Sequence, residues 1–114
     1  MKSAPIRLDL SAPGVSTSRH LGVLADALLA QQSDRVLVCL GKNASNPQVT
    51  STFEKWSERN EQLVRTRVAA MALVVPNRWV RLQFQLFLLL AQPPAPSSVH
   101  GTEAQALRWL EEVA

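Results

Sequence analysis

The side chains with the chemistry to act in this sequence are few: Cys39, His20, His100, the carboxylates Glu58 and Glu61, and the pair Gly41-Lys42. A thiol and two imidazoles can supply a nucleophile, its base or metal ligands. Here they stand apart in the chain, outside any close His/Cys/Asp/Glu spacing of the metal-binding kind. Gly41-Lys42 opens a polar loop over residues 41–48, but the Gly-x-x-x-x-Gly-Lys-Ser/Thr arrangement that wraps phosphate in backbone amides is absent. The sequence also lacks a Gly-x-Ser-x-Gly elbow, and Glu58 and Glu61 share a helix with no second catalytic group beside them. Cys39, inside Val36-Leu37-Val38-Cys39-Leu40, reads as a small core hydrophobe, and a lone cysteine excludes an internal disulfide. His20 and His100 read as surface or cap-adjacent groups. No catalytic residue, metal site or cofactor is assigned on these grounds. An enzyme would have to assemble its site on the 41–48 loop, whose polar candidates are Lys42, Asn43, Ser45 and Asn46. Open α/β sheets carry ligand loops at the C-terminal ends of their strands, so this loop is also a candidate ligand or partner site.

The elements that must position these groups alternate. Residues 6–10 place Ile6, Leu8 and Leu10 on one side and Arg7 and Asp9 on the other, the pattern of a half-buried or edge strand. Pro13-Gly14 marks a turn. From Thr17 the positions Leu21, Leu24, Ala25, Leu28 and Leu29 recur at helical spacing, with Thr17 or Ser18 as the cap. Residues 36–40 and 68–75 are apolar without alternation, as expected of central strands covered on both faces. Between them, Ser51 with Glu54 reads as a capping box for a helix to about residue 64, with Phe53, Trp56 and Leu63 as its thin apolar stripe. Residues 97–100 form a short extended segment. Thr102 with Gln105 then caps a last helix that turns Ala106, Leu107, Leu110 and Val113 inward, with Trp109 toward the rim. This order predicts an α/β fold: a small open sheet of about four strands, mixed or parallel, with right-handed crossovers and helices packed on it. A chain of 114 residues makes one domain over residues 1–114, with residues 1–5 and 93–98 expected to be loose.

The segment over residues 79–91 stands out. It follows Pro76-Asn77-Arg78, a turn and helix start, and it must stop at Pro93-Pro94 because neither proline donates a helical hydrogen bond. On a helical wheel only Arg81, Gln85 and Gln92 form a polar stripe, interrupted by Leu88. The rest is more apolar surface than one side of a small sheet needs. As a helix it would span about 20 Å, too short for a bilayer core of roughly 30 Å. No membrane insertion is expected. The net charge of +3 is local: residues 65–102 hold Arg65, Arg67, Arg78 and Arg81 and no acid. These arginines form no run of the nucleic-acid or polybasic kind, so no nucleic acid is expected as a partner. The chain opens without a basic-then-apolar leader, and a cytoplasmic protein is the expectation.

Arg67-Val68-Ala69 leading to Ala72-Leu73-Val74-Val75-Pro76, then a long helix, then Val99-His100-Gly101-Thr102-Glu103-Ala104-Gln105-Ala106-Leu107-Arg108-Trp109-Leu110 resembles the C-terminal half of STAS-like domains, the broad group of sulfate-transporter and anti-sigma-factor-antagonist folds. Element order matches over about residues 6–114, and specific residues over the final third. Such domains often show five strands, where four are legible here. The resemblance implies regulation or scaffolding by protein contact in a bacterial-type cytoplasm, often switched by phosphorylation of a serine in the loop after the central strand. Ser45 is the nearest counterpart, in a loop without the Asp-Ser-Ser-Gly of the best-known members.

Taken together, the sequence predicts a non-enzymatic regulatory or scaffolding module that binds a protein, either an acidic partner or a second copy in a homodimer. Its interaction residues are Arg78, Trp79, Arg81, Leu82, Phe84, Leu86 and Leu89, the arginines forming a polar rim. The alternatives are a carrier of a small apolar ligand or lipid, with Phe84 and Phe87 lining a cavity, and a small enzyme using the 41–48 loop.

Overall fold

A computed structural model describes residues 4–113. Residues 1–3, part of the expected loose start, lie outside the described residues. Four strands, β1 (Ile6–Asp9), β2 (Arg35–Cys39), β3 (Ala70–Val74) and β4 (Ser97–His100), form one open sheet in the order β1-β2-β3-β4. Every pairing is parallel, which resolves the mixed-or-parallel expectation. The helices are α1 (Thr17–Leu29), α2 (Pro47–Arg59), α3 (Glu61–Arg67), α4 (Arg78–Ala91) and α5 (Glu103–Val113), with a 3-10 turn over Gly41–Ser45. None of these helices is long and apolar enough to cross a membrane.

Strands that follow one another across a sheet in sequence order, each joined by a right-handed crossover, put all their connecting helices on one face. That face carries the larger core. Leu8, Val36, Val38, Met71, Leu73 and Val99 of the sheet meet Leu21, Leu24 and Leu28 of α1, Trp56 of α2 and Val64 of α3. The helix after β4 has no further strand to reach, and α5 folds back over the opposite face. There Ala106 and Leu110 pack on Leu37, Cys39, Ala70, Ala72 and Val74. The two alanines of β3 leave the room that lets α5 lie close. Both central strands are thus buried along their whole length, as their unbroken apolar runs require.

Local chemistry corrects four boundaries. The helix expected to begin at Ser51 begins at Pro47, because Asn46 Oδ1 accepts from the Gln48 amide at 3.0 Å and proline fits the first helical position. The same helix stops at Asn60, whose side chain donates to the Trp56 carbonyl at 2.9 Å, and a separate α3 follows. Since α3 runs to Arg67, the third strand starts only at Ala70. The cap of α1 is Ser16, without a side-chain hydrogen bond, so neither Thr17 nor Ser18 serves in that role. At the far end the expected cap is present: the Gln105 amide donates to Thr102 Oγ1 at 3.2 Å.

The loops after β1 and β2 press together where the sheet ends. Gly41 has φ +54°, and a Cβ there would lie 2.8 Å from Ser11 Cβ, so both the backbone shape and the space call for glycine. Asn43 locks the two loops by donating from Nδ2 to the carbonyls of Leu10 at 2.6 Å and Ala12 at 3.0 Å.

Candidate functional site

Asn77 starts α4 by accepting from the amides of Trp79 at 2.9 Å and Val80 at 3.1 Å, satisfying two of the donors a helix start leaves open. From there the helix touches the rest of the domain along one narrow line. Val80, Phe84 and Leu88 pack partly against the larger core. Arg81 lies on the same side and donates from Nη1 to the carbonyls of Val75 at 3.1 Å and Pro76 at 3.2 Å. No residue of this helix is buried.

The outward side is therefore apolar. Trp79, Leu82, Leu86 and Leu89 follow one another at intervals of three, four and three residues, the spacing of a helix seam that meets another helix. Phe87 and Leu90 widen the row. Trp79 is 70 % exposed, Leu89 76 % and Leu90 85 %, values normally found for charged side chains rather than these. The Arg78 guanidinium lies 5.7 Å from the centre of the Trp79 ring, a cation–π distance that holds a positive charge at the helix start.

Five of the expected interaction residues, Arg78, Trp79, Leu82, Leu86 and Leu89, are exposed together on α4. Phe84 and Arg81 are turned differently. Phe84 belongs to the core side, and the Arg81 guanidinium is engaged with strand-end carbonyls instead of standing at a rim. The polar stripe read from Arg81, Gln85 and Gln92 is thus not simply the solvent side; its interrupting Leu88 faces the core. Phe87 and Leu90 were missing from the expected set. The seam spacing from Trp79 to Leu89 was the signal that could have found Leu90, which sits beside it. Because Phe84 faces the core and Phe87 is half exposed, the pair expected to wall an apolar cavity is divided between core and surface.

The 41–48 loop is held by its own polar groups. Ser45 Oγ donates to the Lys42 carbonyl at 3.0 Å, Asn43 ties the loop to the one after β1, Asn46 caps α2, and Lys42 is exposed. Between this loop and the start of α1 lies a cleft of about 360 Å³.

The titratable groups gather on the α5 side of the sheet. Arg7 Nε donates to Glu103 Oε1 at 2.7 Å. That bond holds the Glu103 carboxyl below its usual range and raises the Arg7 guanidinium further. Hydrogen bonds from the side chain and amide of Ser11 lower Asp9. Burial pushes the Cys39 thiol up, which makes it a poorer nucleophile. His100 lies against Trp109 with ring centres 5.7 Å apart and planes tilted by 46°, and burial lowers its imidazole. The register runs Asp9, Cys39, Val74, His100 across the four strands. A whole strand therefore separates the thiol from the imidazole, about 10 Å at the usual strand spacing, beyond the reach of a nucleophile–base hydrogen bond. His20 is elsewhere, with Nδ1 2.9 Å from the Ser16 carbonyl. Among the described residues no group of three or more His, Cys, Asp or Glu side chains is placed to hold a metal ion.

The fold and the α4 row define a parallel α/β domain with one helix left largely uncovered. No protein-family model matches the chain, nor does any curated protein or solved structure.

Proposed function

We propose that this chain is a STAS-like, non-enzymatic regulatory or scaffolding domain that acts by protein contact through the outward row of α4, and that a second copy of the chain covers that row. The observation that carries the reading is a 14-residue helix with no buried residue and with Trp79, Leu82, Leu86, Phe87, Leu89 and Leu90 all exposed. The alternation of strands and helices and the final strand–helix unit support the STAS-like part.

Six large side chains, each about half exposed or more, present on the order of 700 Å² of apolar surface, close to the roughly 800 Å² that each partner contributes to a stable interface. Patches of that size on a lone domain usually mark contact sites. The three-four-three spacing fits a helix as the covering element, and each copy already has such a helix to offer. Charge favours an antiparallel pair. α4 has no acid in its first turn and no base in its last, so Arg78 of one copy would approach the partly negative C-terminal end of the other. Work in a bacterial-type cytoplasm belongs to the same proposal.

Light scattering after size-exclusion chromatography tests it. The expected mass is that of a dimer at about 100 μM, a concentration well above the micromolar dissociation constants such an area commonly supports. Leu82→Glu should give a folded monomer. A wild-type chain that stays monomeric at that concentration overturns the second-copy reading, and capture of an acidic protein by that monomer, lost in Leu82→Glu, would put a different partner on the same row.

A further inference from the structure

Among the described residues, α5 alone covers its face of the sheet. It rests there on two buried side chains, Ala106 and Leu110, against a floor that includes the small Ala70 and Ala72. The apolar area removed from water on this face is small beside that under α1, α2 and α3. An element held by few buried contacts opens at lower cost than the rest of its domain. Two further contacts hold α5. At its start Arg7 of β1 donates to the Glu103 carboxylate. Further along, Trp109 lies against His100 of β4.

The second contact is incomplete. His100 Nε2 is buried without a hydrogen-bond partner, alone in this among the described side-chain nitrogen and oxygen atoms. Protonation makes both ring nitrogens donors and sets a charge on the ring, and a buried charge without an acceptor or counter-ion costs far more than an unpaired neutral nitrogen. No counter-ion faces it. In the ladder His100 stands beside Val74, with the Cys39 thiol one strand further on. Of the charged groups on α5, Glu103 is turned to Arg7, and Arg108, Glu111 and Glu112 are exposed. On the α4 side Arg81, itself a cation, lies against Gly101 with its guanidinium given to the Val75 and Pro76 carbonyls.

We infer that α5 is an acid-released latch: protonation of His100 below neutral pH frees the Trp109 end of the helix from the sheet while Arg7 still holds its start. The order follows from the two contacts. Burial lowers the His100 imidazole, so the open state takes up the proton first and the closed state loses ground as pH falls below 6.5. The Glu103 carboxyl is held below its usual range, so its bond to Arg7 is still in place at pH 5 and is lost only on further acidification. Release bares Leu37, Ala70 and Ala72, while the larger core on the other face stays closed. The latch is separate from the α4 row and does not depend on what covers it.

Amide hydrogen exchange read by NMR on the intact chain at pH 7 and pH 5, each rate divided by that of an unstructured amide at the same pH, tests the latch. Protection at Leu110 should fall several-fold at pH 5, with a ceiling of about thirty-fold set by an open-state imidazole titrating at 6.5. Leu37 and Ala72 in the central strands should keep theirs. His100→Phe keeps a ring against Trp109 but takes up no proton, so the fall at Leu110 should vanish. If that variant does not fold, the ring-proton shifts of His100 in the wild type decide instead: titration below 6.5 supports the latch and titration at or above 6.5 overturns it. Protection at Leu110 that is the same at both pH values, that falls equally at Leu37 and Ala72, or that falls as far in His100→Phe overturns the inference. So does a rise in protection, which would show the Trp109 ring holding the imidazolium as a cation–π partner.

Discussion

Replacing Gly101 by alanine puts a methyl group where the Arg81 guanidinium lies, since a Cβ at that position would come 2.7 Å from Nη1 and 3.3 Å from Cζ. The backbone of Gly101 is outside the left-handed region, so alanine introduces no strain of its own and its effect passes through Arg81. Displaced, Nη1 loses its bonds to the Val75 and Pro76 carbonyls. In full burial each charged hydrogen bond contributes about 1.5–3 kcal/mol. Arg81 is only half-buried and water replaces part of the loss, so the pair together is worth about 1–2 kcal/mol. Alanine returns about 0.4–1 kcal/mol by restricting the unfolded chain. Gly101→Ala should therefore destabilise by about 0.5–1.5 kcal/mol and Arg81→Ala by about 1–2 kcal/mol. Both remove the same bonds, so the double variant should be at least as stable as Arg81→Ala alone, with a coupling of about 1 kcal/mol. Urea unfolding measures it, as shifted midpoints at unchanged slope. Single effects that add to within about 0.5 kcal/mol in the double variant would refute the reasoning and return Arg81 to the surface rim.

Two further outcomes follow from named positions. Gly22 lies inside α1 with nothing within 4 Å of where a Cβ would stand. Gly22→Ala should stabilise by about 0.5–1 kcal/mol in thermal or urea unfolding, and a loss of stability would show a contact on that face. The burial that lowers His100 below its usual 6.5 means the unfolded chain takes up the proton first. Its contribution to stability is complete above pH 6.5 and declines as pH falls below that value, while the lowered Asp9 and Glu103 carboxyls lose theirs only on further acidification, below the usual carboxylate range. Urea midpoints at pH 7 and 5 should differ less in His100→Phe than in the wild type, and equal differences would show that the imidazole does not titrate with folding.

Much of the fold was legible because its signals are local. The unbroken apolar runs around Val36 and Ala72 marked strands covered on both faces, and both prove buried throughout. Thr102 caps α5 as its spacing required. Asn77 starts α4, and the helix ends at Ala91 with a left-handed Gln92 just before Pro93-Pro94. In each case one side chain or ring acts on backbone groups within a few residues of itself, so short sequence suffices. Two competing local signals were enough to mislead: Ser51 and Glu54 looked like a capping box, while Asn46 with Pro47 held the better one.

The tertiary structure decided the orientation of α4 and the meeting of the two loops. A helix that is apolar nearly all round gives its hydrophobic pattern no preferred direction. What turned it was distant chemistry, the strand-end carbonyls of Val75 and Pro76 that Arg81 reaches and the core space that takes Phe84 and Leu88. Likewise nothing near Thr17 announces that it will line a cleft together with the start of a helix thirty residues later in the chain. By itself the sequence determined which stretches form strands and which form helices, and the full burial of the two central strands, because those preferences are set within a few residues of backbone. Which exposed face remains for a partner, and which residues line the cleft beside the 41–48 loop, depended on parallel strands bringing remote loops side by side.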